Sequence, residues 1–332
     1  VEHLFGEMQV DERWAVRRPR GFSWWAGELA QHVWADAPID DYGHQLSRVH
    51  VQTDVLSDLA PGDRALSILG ATTGFSTMSG PLVGEGGLRL AASVFVHDGT
   101  LRMWKHLLAI AALIQVTEAH ITAPFLAEST GAKTAVSPHP WSGIRKEQDD
   151  MLNVIHDVFA PMGVGPSLFA GHEFADAEEA MGRHLSLLTS AGDTGLTSEF
   201  PFGEGTALLQ MLTEPRNPRL GSGLMMILSL PTHYATSDLP RLALQMNQLE
   251  LSQLTRAPFL GSWCPHATIP NTLCFVSFFP NACSLPGLPT TFLQYSAGRA
   301  RWMLESVHGE TDEASRRQSQ PAVMRFLRRS RH

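Results

Sequence analysis

From residue 173 onward the apolar positions change their period in an orderly way. Glu173 to Ser190 (EFADAEEAMGRHLSLLTS) has acids early and leucines late, which predicts a helix. AGDTG breaks it, and Leu196 to Phe202 and Thr206 to Thr213 predict two short strands around the turn Gly203 to Gly205. EPRNPRLG reads as a loop, followed by the fully apolar strand Gly223 to Leu230 (GLMMILSL). Asp238 and Pro240 open a helix through LALQMNQLELSQL. Pro258 to Cys264 and Leu273 to Phe279 predict two more strands, and Pro289 to Glu305 a closing helix. The order is α-β-β-β-α-β-β-α.

The first half of the chain repeats that order. Glu2 to Glu12 predicts a reduced first helix, and Phe22 to Trp25, Gly27 to Trp34 and Leu46 to Leu56 three strands. A helix follows from Pro61 and Asp63 through Leu69, then strands at Leu82–Val83 and Leu88 to Val96, and a helix from Thr100 to Ala119. Ala65-Leu66 aligns with Ala243-Leu244, Pro81 with Pro258, Ser93 with Ser277 and Glu118 with Glu305. The reading is therefore an α+β chain of two tandem units, each an antiparallel sheet with its helices on one face. Unit one spans residues 1–123 and unit two 172–309. Between them, residues 124–171 form a connector with one added helix from Ile144 to Phe159, and 310–332 are a basic tail.

Composition supports a globular chain and little else. The 332 residues are 43% apolar and 17% charged, enough for about two domains. The longest apolar runs, such as Leu107 to Val116, fall short of the ~20 residues a membrane span needs. The acidic N-terminus lacks the pattern of a signal peptide, and Cys264, Cys274 and Cys283 make no disulfide framework, so a cytoplasmic location is expected. Net charge is −8, yet residues 315–332 hold six arginines and no acid; removing that +6 leaves −14 on the rest. Such a body repels phosphate backbones, so nucleic acid is not expected as the main ligand.

Candidate chemistry is sparse. Cys264, His266, Cys274 and Cys283 lack the paired knuckle spacing of a zinc site. The dipeptides His97-Asp98 and His156-Asp157 invite a metal-hydrolase reading, but only His156 falls on a predicted helix. Gly74-Phe75-Ser76-Thr77-Met78 lacks the second glycine of a nucleophile elbow. The glycine groups at 84–87 and 203–206 sit between strands and read as hairpin turns. No catalytic residue, metal ligand or cofactor is assigned.

The strands carry the informative signal. In unit one Val49, Val51 and Val55 alternate with His50, Gln52 and Asp54, so that sheet presents one polar face. In unit two Leu224, Met226, Leu228 and Leu230 face one side while Met225 and Ile227 face the other, so both faces are apolar. Helices cover one face; the second calls for another cover, either the other unit or a second chain, or an extended peptide. Met225, Met226 and Ile227 are the candidate partner-binding residues, since thioethers adapt to varied surfaces.

The segments DLPRLALQMNQLELSQL, TLCFVSFFP and TTFLQYSAGRARWMLE, in this order of elements, resemble the YbjN-like proteins and the type III secretion chaperones grouped with them. That resemblance implies an acidic, non-enzymatic protein that holds an unfolded segment of a client, here as a covalent tandem in place of a homodimer. The expected function is thus a cofactor-free chaperone or adaptor for a protein or peptide client, able to form homo- or hetero-oligomers. A structural subunit of a larger assembly is the alternative, and a metal-dependent hydrolase using the His-Asp pairs comes third.

Overall fold

In a computed structural model, residues 1–41, 44–60, 62–72, 77–84, 86–169, 171–185, 188–252 and 256–307 are described. Unit one runs α1 (Glu2–Glu7), β1 (Ala15–Arg18), β2 (Gly21–Trp25), β3 (Ala30–Ala35), β4 (Ile39–Asp41), β5 (His44–Ser57), α2 (Asp63–Thr72), β6 (Gly80–Gly84), β7 (Gly87–Val96), α3 (Leu101–Thr130) and β8 (Lys133–Thr134). After a short α4 (Ala160–Met162), unit two runs α5 (Gly171–Leu185), β9 (Leu188–Gly192), β10 (Gly195–Phe202), β11 (Gly205–Leu212), β12 (Gly223–Pro231), α6 (Leu239–Ser252), β13 (Ser262–Pro265), β14 (Thr272–Pro280) and α7 (Leu288–Val307).

The fold is α+β, with two antiparallel sheets. Sheet one has the path β1-β2-β3-β5-β7-β6, with β4 and β8 also pairing to β5; sheet two has the path β13-β14-β12-β11-β10-β9. Read from the outer edge inward, both follow one order: three meandering strands, the long fourth, then the last strand before the penultimate one. Unit two has one strand more than its pattern predicts, β9, and unit one has three more, β1 and the short β4 and β8. The helix expected to run to Ser190 stops at Leu185, because the short segment Leu188–Gly192 pairs with β10 instead.

Helices cover one face of each sheet. In sheet two Met226 and Phe275 point to α7, where the Ser296 hydroxyl lies 3.7 Å from the Met226 sulfur and the Arg299 guanidinium 3.7 Å from the Phe275 ring centre. In sheet one Phe22 meets Phe5 of α1 edge-on, and Gln31 donates to the Ala112 carbonyl of α3. By length and composition α3 would cross a membrane. In the fold it is a core helix: sheet one packs on one side and the connector on the other, so Trp104 and Leu107 through Ala119 are buried. It also runs past residue 123, where the unit was expected to end.

The connector differs from its expected single helix. Asp150–Asn153 is a 3₁₀ turn and Ile155–Phe159 a π turn, with Leu152, Ile155 and Phe159 in the core. Their spacing marks an apolar face, but Asp149 caps the 3₁₀ turn and is held by Arg145, so no helix starts at Ile144.

The two units share one apolar core and exchange backbone bonds. Ser93 of β7 and Phe259 bond reciprocally at 3.0 and 2.7 Å, and the Phe278 N–H of β14 donates to Thr77. The strand expected from Pro258 thus begins only at Ser262, because Phe259 pairs across the junction. Helices α2 and α6 touch here, and a Cβ on Gly70 would fall 2.1 Å from the Pro240 oxygen, so only glycine permits the approach. Arg241 forms an ion pair with Asp63 beside it. Arg48 of β5 donates to the carbonyls of Glu250 and Leu251, capping the end of α6 with a cation.

Candidate functional site

The clearest contrast lies on the two sheet faces that helices leave open. On sheet two the rows follow the pairing: Leu212 beside Met225, then Gln210, Ile227 and Val276, then Leu208. These six are half-buried and five of them are apolar, while Phe278, Ser229 and Cys274 complete the same rows and are buried. Met226 is fully buried in the helix-covered core, so it drops out of the expected partner surface. Met225 and Ile227 stay on the open face, as alternation requires. The additional members are Leu208, Leu212 and Val276; the alternation of β11 (TALLQML) held the signal for the first two.

On sheet one the equivalent face is polar. The Ser23 hydroxyl lies 2.7 Å from His32 Nδ1, His32 Nε2 lies 3.2 Å from Asp54, and Arg89 Nε donates to Asp54 at 2.7 Å. Burial pushes the Asp54 carboxyl up, but the bonds from His32 and Arg89 outweigh it and hold it below its ordinary range. Next to this chain Trp34 stacks on His50 with centroids 4.7 Å apart, and His50 bonds Asp36 at 2.9 Å. Burial lowers the His50 pKa, opposed by Asp36. The Ser-His-Asp order does not make a nucleophile. Ser23 is 2% exposed, and its own N–H and its neighbours' are spent in the sheet, leaving no donors for an oxyanion.

A third feature lies at the junction of the units. Leu69, Pro81, Leu88, Leu90, Phe125 and Leu126 line an apolar pocket of about 420 Å³, with Glu118 in its wall and Arg219 at its rim. The Thr77 hydroxyl donates to Glu118. Burial pushes that carboxyl up to about 7, against the pull of Thr77 and Arg219.

The remaining sequence candidates are not drawn together. His97-Asp98 sits at the turn after β7 and His156-Asp157 in the π turn, both exposed or half-exposed. Among the described residues no three His, Cys, Asp or Glu side chains group to hold a metal. The three cysteines are buried, and burial pushes each thiol up, Cys274 to about 11. Cys264 and Cys274 face each other across β13 and β14 as free thiols. Ser93 and Ser277, aligned in sequence, occupy opposite kinds of face: Ser93 lies beside His50 on the open side, Ser277 beside Met226 in the core. Glu305 pairs with Arg301 in solvent, unlike buried Glu118. Residues 74–76 and the tail arginines lie outside the described residues.

Together these define an α+β chain of two like sheets joined by exchanged backbone bonds, one with an apolar open face and one with a polar open face. No protein-family model, curated protein or solved structure matches the chain.

Proposed function

We propose that the protein is a non-enzymatic chaperone or adaptor that holds an extended protein or peptide segment against the open face of sheet two. The observation that supports this is the contiguous apolar strip of Leu208, Leu212, Met225, Ile227 and Val276 on three adjacent strands, uncovered by any helix among the described residues. A solvated antiparallel face is ordinarily polar, as on sheet one, and an apolar one marks an interaction surface. A segment lying there gains by removing these side chains from water, at about 25 cal/mol per Å² before the cost of ordering it. The YbjN-like resemblance points the same way, and a cytoplasmic setting fits the free thiols.

The test is a titration of the full chain with a fluorescein-labelled pool of random 15-residue peptides. Ile227→Asp should weaken capture about tenfold, roughly 1.4 kcal/mol, and leave melting nearly unchanged, because Ile227 is outside the core. Unaltered capture by this variant would remove the support for the surface. Saturable binding of one fixed partner, with none of the pool, would favour the structural-subunit reading.

A further inference from the structure

The polar face of sheet one has a depression of about 420 Å³ that the apolar binding surface does not use. Arg18, His32, Trp34, Gln52 and Arg89 line it. His32 and Gln52 are directly paired on β3 and β5 and form its floor. His32 is held from both sides, by Ser23 and by Asp54, so the floor is fixed before anything binds.

Its donors are in surplus. Arg18 pairs with Gly21 through its backbone, and its side chain makes no hydrogen bond or ion pair to any described residue. Gln52 is likewise unused through its side chain. Arg89 gives only Nε to Asp54, so its two terminal nitrogens remain for another acceptor. The neighbouring arginines are engaged: Arg17 with Glu2 and Glu12, Arg20 with the Asp36 carbonyl, Arg13 with Asp11. Asp54 cancels one charge of the pair, which leaves a local excess of about one positive charge on a chain of net −8.

These groups select their ligand by chemistry. A phosphate monoester brings three acceptor oxygens and a charge of about −1.5 to −2, enough to occupy two guanidinium groups and an amide. A carboxylate has two oxygens and would leave donors unused. The half-buried Trp34 indole is backed on one side by His50 and stands in the wall, positioned to pack against a flat ring. A long polyanion meets the acidic remainder of the chain and is disfavoured, whereas a small one is not.

We propose that this depression binds a small phosphate monoester of a planar ring compound, of the nucleoside monophosphate class, with its phosphate on Arg18, Arg89 and Gln52 and its ring beside Trp34.

The probe is adenosine 5′-monophosphate, measured by equilibrium dialysis against the full chain, with ribose 5-phosphate, adenosine, inorganic phosphate and a 12-nucleotide single strand as competitors. One saturable site is expected, with an affinity of ~1 mM or tighter. Ribose 5-phosphate should compete more weakly, and adenosine at least tenfold more weakly. Arg18→Gln, an exposed change that leaves the fold alone, should weaken binding about tenfold and flatten its salt dependence. Trp34→Leu should weaken the monophosphate while leaving ribose 5-phosphate unchanged. Absence of saturation, equal binding by Arg18→Gln, or adenosine competing as well as the monophosphate would overturn the proposal. Tighter binding of the single strand would overturn it in favour of a nucleic-acid ligand. Ile227→Asp should not alter this binding, which keeps it separate from peptide capture.

Discussion

Sheet one and sheet two share one strand order and one placement of helices, yet their open faces have opposite chemistry. On sheet one the positions that leave the core are Ser23, His32, His50, Gln52 and Asp54, and all but Gln52 are tied to one another or to Asp36 and Arg89. On sheet two they are Leu208, Leu212, Met225, Ile227 and Val276. The fold demands neither set, because only the helix-covered positions must be apolar for the sheet to pack. What varies freely between the two sheets is the face that meets solvent, and both proposed binding surfaces lie there.

The largest effect expected from breaking this contrast comes from neighbouring residues on one strand. Met226→Ser leaves a polar hole under α7 and should cost about 2–5 kcal/mol of stability in chemical denaturation. Met225→Ser, one position away and on the open face, should cost under about 1 kcal/mol. Equal losses would mean that both faces of β12 are core. The ordering also reports whether the alternation read from GLMMILSL assigns the faces correctly.

A second effect comes from the junction. The Glu118 carboxyl has a folded pKa near 7, above its ordinary value of 4.5. Between those values the folded state binds more protons than the unfolded one, so this group's contribution is full below about 4.5 and is lost as pH rises through 7. The swing is on the order of 3 kcal/mol. Glu118→Gln, which keeps a neutral group in place, should flatten the fall in stability between pH 5 and 8 and raise stability at the upper end. An unchanged slope in the variant would show that Glu118 ionises freely in the native state.

Much of this architecture was legible in the chain because period and burial agree. Val49, Val51 and Val55 against His50, Gln52 and Asp54 gave the faces of β5 directly, and the apolar run of β12 marked a strand apolar on both faces. Elements escaped where local pattern and tertiary pairing part company. Leu188–Gly192 has too few apolar residues to separate it from the preceding helix, and it is a strand because β10 offers an edge. Ala15–Arg18 hides within a run of arginines, and its pairing to β2 makes it the outer strand. Phe259 looks like the start of a strand but bonds to Ser93 of the other unit. The Glu118 pocket and the Ser23–His32–Asp54–Arg89 chain join residues from up to five elements, which no spacing in one sequence reveals. Of the three candidate binding residues, alternation alone separates Met226 from its neighbours once the helix-covered side is known.

The most direct test of the contrast places a photo-crosslinking benzoylphenylalanine at Ile227 in one variant and at Gln52 in another. Each variant is irradiated with the same random peptide pool after its melting has been matched to the parent chain. The account predicts peptide adducts from position 227 and none above background from position 52. Adducts of equal yield from both positions, or from position 52 alone, would contradict it.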